Sequence, residues 1–155
     1  MTDGSEPIPP LVFELIVDAP PAHAFEMWTA RADLWWPRGH TMSGDPAAIV
    51  FEPRAGGRIF ERGADGRELQ WGEVIDWEPP RRVRFWWHLF FSRAEATVVD
   101  LCFTPDGEGT RVRLEQTGWE ALGDEGPTRR ERTMHAWASV TAPYRHRLDE
   151  APRAT

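Results

Sequence analysis

The segment from Pro53 to Trp87, PRAGGRIFERGADGRELQWGEVIDWEPPRRVRFWW, constrains the architecture more than any other stretch of the chain. It holds the glycine pair Gly56-Gly57, the turn Ala64-Asp65-Gly66, the corner Pro79-Pro80 and four of the nine tryptophans. Turn residues at these intervals, between runs of β-branched and aromatic residues, predict a meander of antiparallel strands. Strands are expected over about 48–53, 57–63, 67–78, 81–90, 94–104 and 110–117, with Pro105-Asp106-Gly107 as the last hairpin turn. A curved meander that presents apolar rings is suited to holding a small molecule in its hollow.

Side chains alternate between the two faces of a strand. Val83, Phe85, Trp87 and Leu89 therefore share one face, and Arg82, Arg84, Trp86 and His88 the other. Val99, Leu101 and Phe103 form a second apolar row; Val112, Leu114 and Gln116 form a third. The row Leu69, Trp71, Glu73, Ile75, Trp77 is less clean, because a glutamate interrupts it.

Before the meander, Leu11 to Asp18 reads as a strand, and Pro20-Pro21 opens a helix with Phe25 and Trp28 on one face. A second short helix is expected from Ala32 to Trp36, ending at Pro37, followed by a loop from Arg38 to Pro46. After the meander, Pro127 and the Thr128-x-x-Glu131 capping box announce a long helix. Met134, Trp137, Ala138, Thr141 and Leu148 make its apolar stripe, and Pro143 predicts a kink or break. Residues 1–10 and 150–155 read as tails around one domain, 11–149.

A chain of 155 residues buries about 70% of its unfolded surface, enough for one core without staples. The net charge is −7 and every basic residue is arginine, which argues against a nucleic-acid partner. Arg129, Arg130 and Arg132 are expected to form a solvated helix face. Cys102 is the sole cysteine, so an internal disulfide is excluded. The five histidines lack ligand spacing, and neither a metal nor another cofactor is implied. No apolar run approaches the roughly 18 residues of a membrane helix, and the N-terminus is not a signal peptide, so the cytoplasm is the expected location.

The order strand, two short helices, six strands and a long helix resembles the helix-grip fold of the SRPBCC superfamily, which includes START domains, the birch-pollen allergen and polyketide cyclases. Ala19-Pro20, Phe25, Trp28, Leu34-Trp35-Trp36, Arg54-x-Gly56-Gly57, Asp65-Gly66, Gly72-x-Val74, Pro79-Pro80-Arg81-Arg82-Val83, Phe85-x-Trp87, Gly109-Thr110 and Gly118-Trp119 together are similar to the family of homologues of the heat-shock-ninety ATPase activator. The resemblance implies an α+β fold in which a curved antiparallel sheet of about seven strands wraps a long C-terminal helix. It also implies a cavity between them that binds a small apolar or aromatic molecule.

Within that frame the candidate wall residues are Trp28, Trp36, Trp71, Phe85, Trp87, Leu101, Met134 and Trp137, each open to the plainer reading of simple core. The polar candidates are Glu73, Gln116 and His135, each open to the reading of a residue satisfied by backbone or water. A carboxylate at Glu73 facing a tryptophan-lined hollow would have a raised pKa and could act as a general base. Non-catalytic ligand binding is the first expectation; a polyketide cyclase-like enzyme using the same cavity is the second. A chaperone-associated interaction role is the third, ranked behind them because in the eukaryotic activator a further domain contributes to ATPase stimulation. A homodimer is compatible with the sequence.

Overall fold

The structure is a computed structural model that describes residues 8–150, apart from the side chain of Glu150. The expected tails at 1–7 and 151–155 lie outside the described residues. Residues 8–10 are tied down: the Ile8 N–H donates to Glu120, and Arg130 donates to the carbonyls of Pro9 and Pro10.

Seven antiparallel strands form one sheet in the order β1-β7-β6-β5-β4-β3-β2. They are β1 (Leu11–Val17), β2 (Pro46–Phe51), β3 (Arg58–Gly63), β4 (Glu68–Glu78), β5 (Arg82–Trp87), β6 (Thr97–Asp106) and β7 (Gly109–Thr117). Sequential hairpins build β2 to β7, and β1 closes the far edge by pairing with β7. Helix α1 (Pro21–Thr29) and a short 3-10 turn (Ala32–Leu34) separate β1 from β2. A second such turn lies at Arg38–His40, inside the stretch expected to be loop. The long helix α2 (Gly126–Glu150) follows a 3-10 segment at Trp119–Glu125. This is the expected α+β helix-grip architecture.

The apolar rows pack as alternation requires: Val83, Phe85, Trp87, Val99, Leu101, Phe103, Val112 and Leu114 are all buried on the helix side. At one end of α2 the space is filled. Tyr144 and Leu148 are buried, and the Tyr144 hydroxyl donates to the Ala24 carbonyl of α1 at 2.7 Å. The Trp28 ring lies 4.9 Å from Tyr144 and 5.3 Å from Trp35.

The helix is not broken at Pro143; it continues as one segment to Glu150. Burial of Tyr144 and Leu148 just beyond the proline holds the final turns in place, which offsets the hydrogen bond a proline cannot donate. The helix begins at Gly126, so Thr128 lies in its first turn rather than at a cap. Its buried stripe is Trp137, Val140, Thr141, Tyr144 and Leu148, whereas Ala138 is exposed.

Candidate functional site, an aromatic cavity between sheet and helix

At its other end α2 stands off the sheet, and a cavity of about 570 Å³ opens there. The sheet supplies Trp87, Thr97 and Gln116; α2 supplies Arg129, Arg132, Ala136, Trp137 and Val140. Trp36 and His40 form one side, Trp119 and Leu122 another, and the β5–β6 connection (His88 to Ala96) forms the rim.

The indoles form a continuous wall. Trp36 lies 5.8 Å from Trp87 and 6.1 Å from Trp137, and Trp87 lies 5.8 Å from Trp137. Gln116, only 2% exposed, fixes two of these walls. Its side-chain oxygen accepts from Trp137 Nε1 at 2.8 Å, its amide donates to Thr97 Oγ1 at 2.8 Å, and its backbone carbonyl accepts from Trp119 Nε1 at 2.9 Å. Gly118, at φ 95, supplies the left-handed turn that brings Trp119 back over the cavity directly after β7.

The rim is held by charge and capping. Ser92 and Glu95 make a reciprocal capping box, and the Ser92 N–H, ahead of the nearby Arg129, lowers the Glu95 carboxyl below its ordinary range. Arg129 donates to Glu95 at 3.3 Å and places its guanidinium 3.3 Å from the centre of the Phe91 ring. Arg129 is therefore largely buried between helix and rim, not part of a solvated face, and Arg130 is occupied by the N-terminal carbonyls. Phe90 and Phe91 remain about half exposed, and Phe90 holds φ 73, a conformation that costs a non-glycine residue roughly 1–2 kcal/mol.

Of the residues singled out from sequence, Trp36, Trp87, Gln116 and Trp137 line the cavity. Trp28, Trp71, Phe85 and Leu101 are buried outside the lining, as core. Met134 packs partly against that core, and His135 is exposed. Glu73 lies on the opposite face of the sheet, in register with Trp86 and Arg58. Register shifts on both sides of it break the alternation of β4, so Glu73 does not share the face of Trp71.

The buried carboxylate near this wall is instead Glu61, fully shielded on β3. It accepts from Trp71 Nε1 at 2.8 Å, from Ser43 Oγ at 2.6 Å, and from the N–H groups of Met42 and Ser43. Burial alone raises its pKa, but the Ser43, Met42 and Trp71 hydrogen bonds outweigh that and hold it below the usual carboxylate range. It clamps the segment at 42–43 behind Trp36 and Trp71, and its shared parity with Ile59 was the signal in the sequence.

His88 also belongs to the wall. Strand β5 ends at Trp87, and the chain turns through Leu89 and Phe90, with the Phe91 N–H donating to the His88 carbonyl. Extrapolating the strand to residue 90 put this histidine on the outer face; the turn brings it to the cavity. Trp119, which the sequence presents only within the Gly118-Trp119 motif, is a wall residue as well.

The fold has solved counterparts. Txn09, an anthrahydroquino-Gama-pyrone synthase, is 28% identical over 90% of this chain and 97% of its own, with a TM-score of 0.63. CalC from Micromonospora echinospora, a self-sacrificing resistance protein, is 22% identical over 92% and 95% of the two chains, with a TM-score of 0.71. The Aha1 dimer from Colwellia psychrerythraea is 15% identical over 92% and 98%, with a TM-score of 0.67. No curated protein matches the sequence significantly. The profile of the family "Activator of Hsp90 ATPase homolog 1-like protein" covers residues 18–142, and the chain belongs to that family.

Proposed function

We propose that the chain binds a small, largely apolar or aromatic molecule in the cavity between its sheet and α2. The observation that carries this reading is the wall of four indoles, Trp36, Trp87, Trp119 and Trp137, around about 570 Å³ of space. Ligand pockets usually span roughly 300–1,000 Å³ and combine apolar walls with few polar groups. Flat rings find edge and face partners in such a wall. Burying about 300 Å² of ligand surface contributes roughly 7 kcal/mol at 25 cal/mol per Å², and association removes at least about 4 kcal/mol. Apolar contact alone thus supports weak binding.

Calorimetric titration with a panel of flat aromatic, fatty-acid and polyketide-like compounds tests this reading, run in parallel on Ala136→Phe, which fills the cavity from α2. Saturable binding that disappears in the filled variant supports it. Equal binding by a folded Ala136→Phe variant contradicts it.

A second reading, chemistry on the bound molecule, draws support from Txn09, the 28% identical relative named as a synthase. Conversion of a bound polyketide-like compound, followed by mass spectrometry and lost in Ala136→Phe, would favour it over binding alone.

A further inference from the structure

Among the polar side chains of the cavity wall, His88 combines burial with an unsatisfied atom. It is 7% exposed, and its Nε2 is shielded from solvent with no hydrogen-bond partner among the described residues. Gln116 and Thr97, the other buried polar groups of the wall, are engaged with Trp137, with each other and with the Trp87 carbonyl. Buried polar atoms in folded proteins are nearly always paired, so an orphan on a cavity wall marks a place where a partner is missing.

The geometry also fixes which partner fits. His88 Nδ1 lies 3.1 Å from the Phe91 carbonyl oxygen. A carbonyl can only accept, so Nδ1 carries the hydrogen, and in the neutral ring Nε2 is then a lone-pair acceptor. The tight turn from His88 to Phe91 holds the ring in this orientation, since the Phe91 N–H bonds back to the His88 carbonyl.

We infer that His88 Nε2 is the polar anchor of the cavity and selects aromatic ligands that carry a hydrogen-bond donor, above all a phenolic or enolic hydroxyl, over otherwise equal molecules without one. This inference rests on the cavity being the ligand site. Neighbouring wall atoms cover Nε2, so the hydroxyl reaches it as those atoms give way on binding. His88 then receives the hydroxyl hydrogen while the indoles hold the ring, and an ether or a bare hydrocarbon leaves the nitrogen buried and unpaired. Nature's usual asymmetry then applies, because a site built to pair with a hydroxyl rejects the analogue that lacks it.

The test compares 2-naphthol with 2-methoxynaphthalene, which differ in the donor and keep the ring and the oxygen. Isothermal titration of the wild type should give 2-naphthol about tenfold tighter binding, the ordinary worth of one hydrogen bond. In His88→Phe the naphthol should weaken to the level of the ether while the ether stays unchanged. Equal affinities in the wild type, or a preference that survives in His88→Phe, overturn the inference and leave the cavity reading standing. Absence of binding by both probes, and by the broader panel, removes the cavity reading and this inference with it. Because the Nδ1 bond also holds Phe91, a second readout uses the unmutated protein. The ¹⁵N resonance of His88 Nε2 should move on saturation with 2-naphthol and stay in place with the ether; an unmoved resonance with naphthol bound overturns the assignment.

Discussion

Replacing Glu61 by glutamine tests how the wall behind the cavity is held. Glu61 Oε1 accepts from the Met42 N–H and Trp71 Nε1, and Oε2 accepts from the Ser43 N–H and hydroxyl. Glutamine can keep an oxygen toward Met42 and Trp71, but its NH₂ then faces the Ser43 N–H, donor against donor. Hydrogen bonds to charged groups contribute about 1.5–3 kcal/mol each, and the part-buried Ser43 N–H loses its acceptor, so the expected loss is about 1.5–3 kcal/mol. Glu61→Ala removes every acceptor and leaves the buried Trp71 Nε1 unpaired, so it should cost at least as much as the glutamine change, about 3 kcal/mol. Urea denaturation followed by circular dichroism measures both.

The pH dependence carries a sign. The Glu61 carboxyl is held below its ordinary 4.5 in the folded state, so its contribution is complete above the unfolded pKa and is lost as pH falls through the lower folded value. The stability gap between wild type and Glu61→Gln should be full at pH 7 and narrow as pH drops below about 4.5. A gap smaller than about 0.5 kcal/mol at pH 7, the scatter of ordinary surface changes, would refute the clamp. So would a gap that widens on acidification.

Three further substitutions probe the frame around the site. Gly72→Ala would place a Cβ 2.0 Å from the Trp86 carbonyl oxygen, so the β4–β5 pairing must shift; a loss above about 2 kcal/mol is expected as a lowered Tm. Tyr144→Phe removes the single hydroxyl bond from α2 to the Ala24 carbonyl and should cost about 1 kcal/mol in urea, with the fold retained. Gln116→Met leaves Trp137 Nε1 without its acceptor inside the wall, at about 1–3 kcal/mol, and should shift the tryptophan emission; an unchanged spectrum and stability would show that Gln116 does not hold that ring.

The element order, the strand rows and the inward direction of Trp87 against Trp86 are legible in the sequence because they rest on turn residues and a period of two. The same rule fails where the backbone departs from it. Register shifts in β4 separate Glu73 from Trp71, and the turn after Trp87 carries His88 to the cavity although strand parity points it outward. Met134 and Ala138 belong to a helical stripe read from spacing, but the packed structure sets its phase through Trp137, Val140 and Tyr144, which leaves Ala138 and the candidate His135 exposed. Pro143 carries a strong local signal for a break, and burial of the residues after it overrides that signal. Glu61 is hard to read from sequence because a charged residue in a strand reads as solvent-facing, although its parity with Ile59 points inward. The rim, where Arg129 bridges Glu95 and Phe91, joins segments 34 residues apart and has no local signature.

The central claim is that the indole-walled cavity is the ligand site, and the nine tryptophans report on it directly. Indole N–H resonances, assigned by Trp→Phe substitution, should be followed during titration with 2-naphthol. Saturable shifts at Trp36, Trp87, Trp119 and Trp137 are predicted, with Trp77 and the outward-facing Trp86 unchanged. Shifts confined to Trp77 or Trp86, or no saturable shift at any wall indole, would contradict the account.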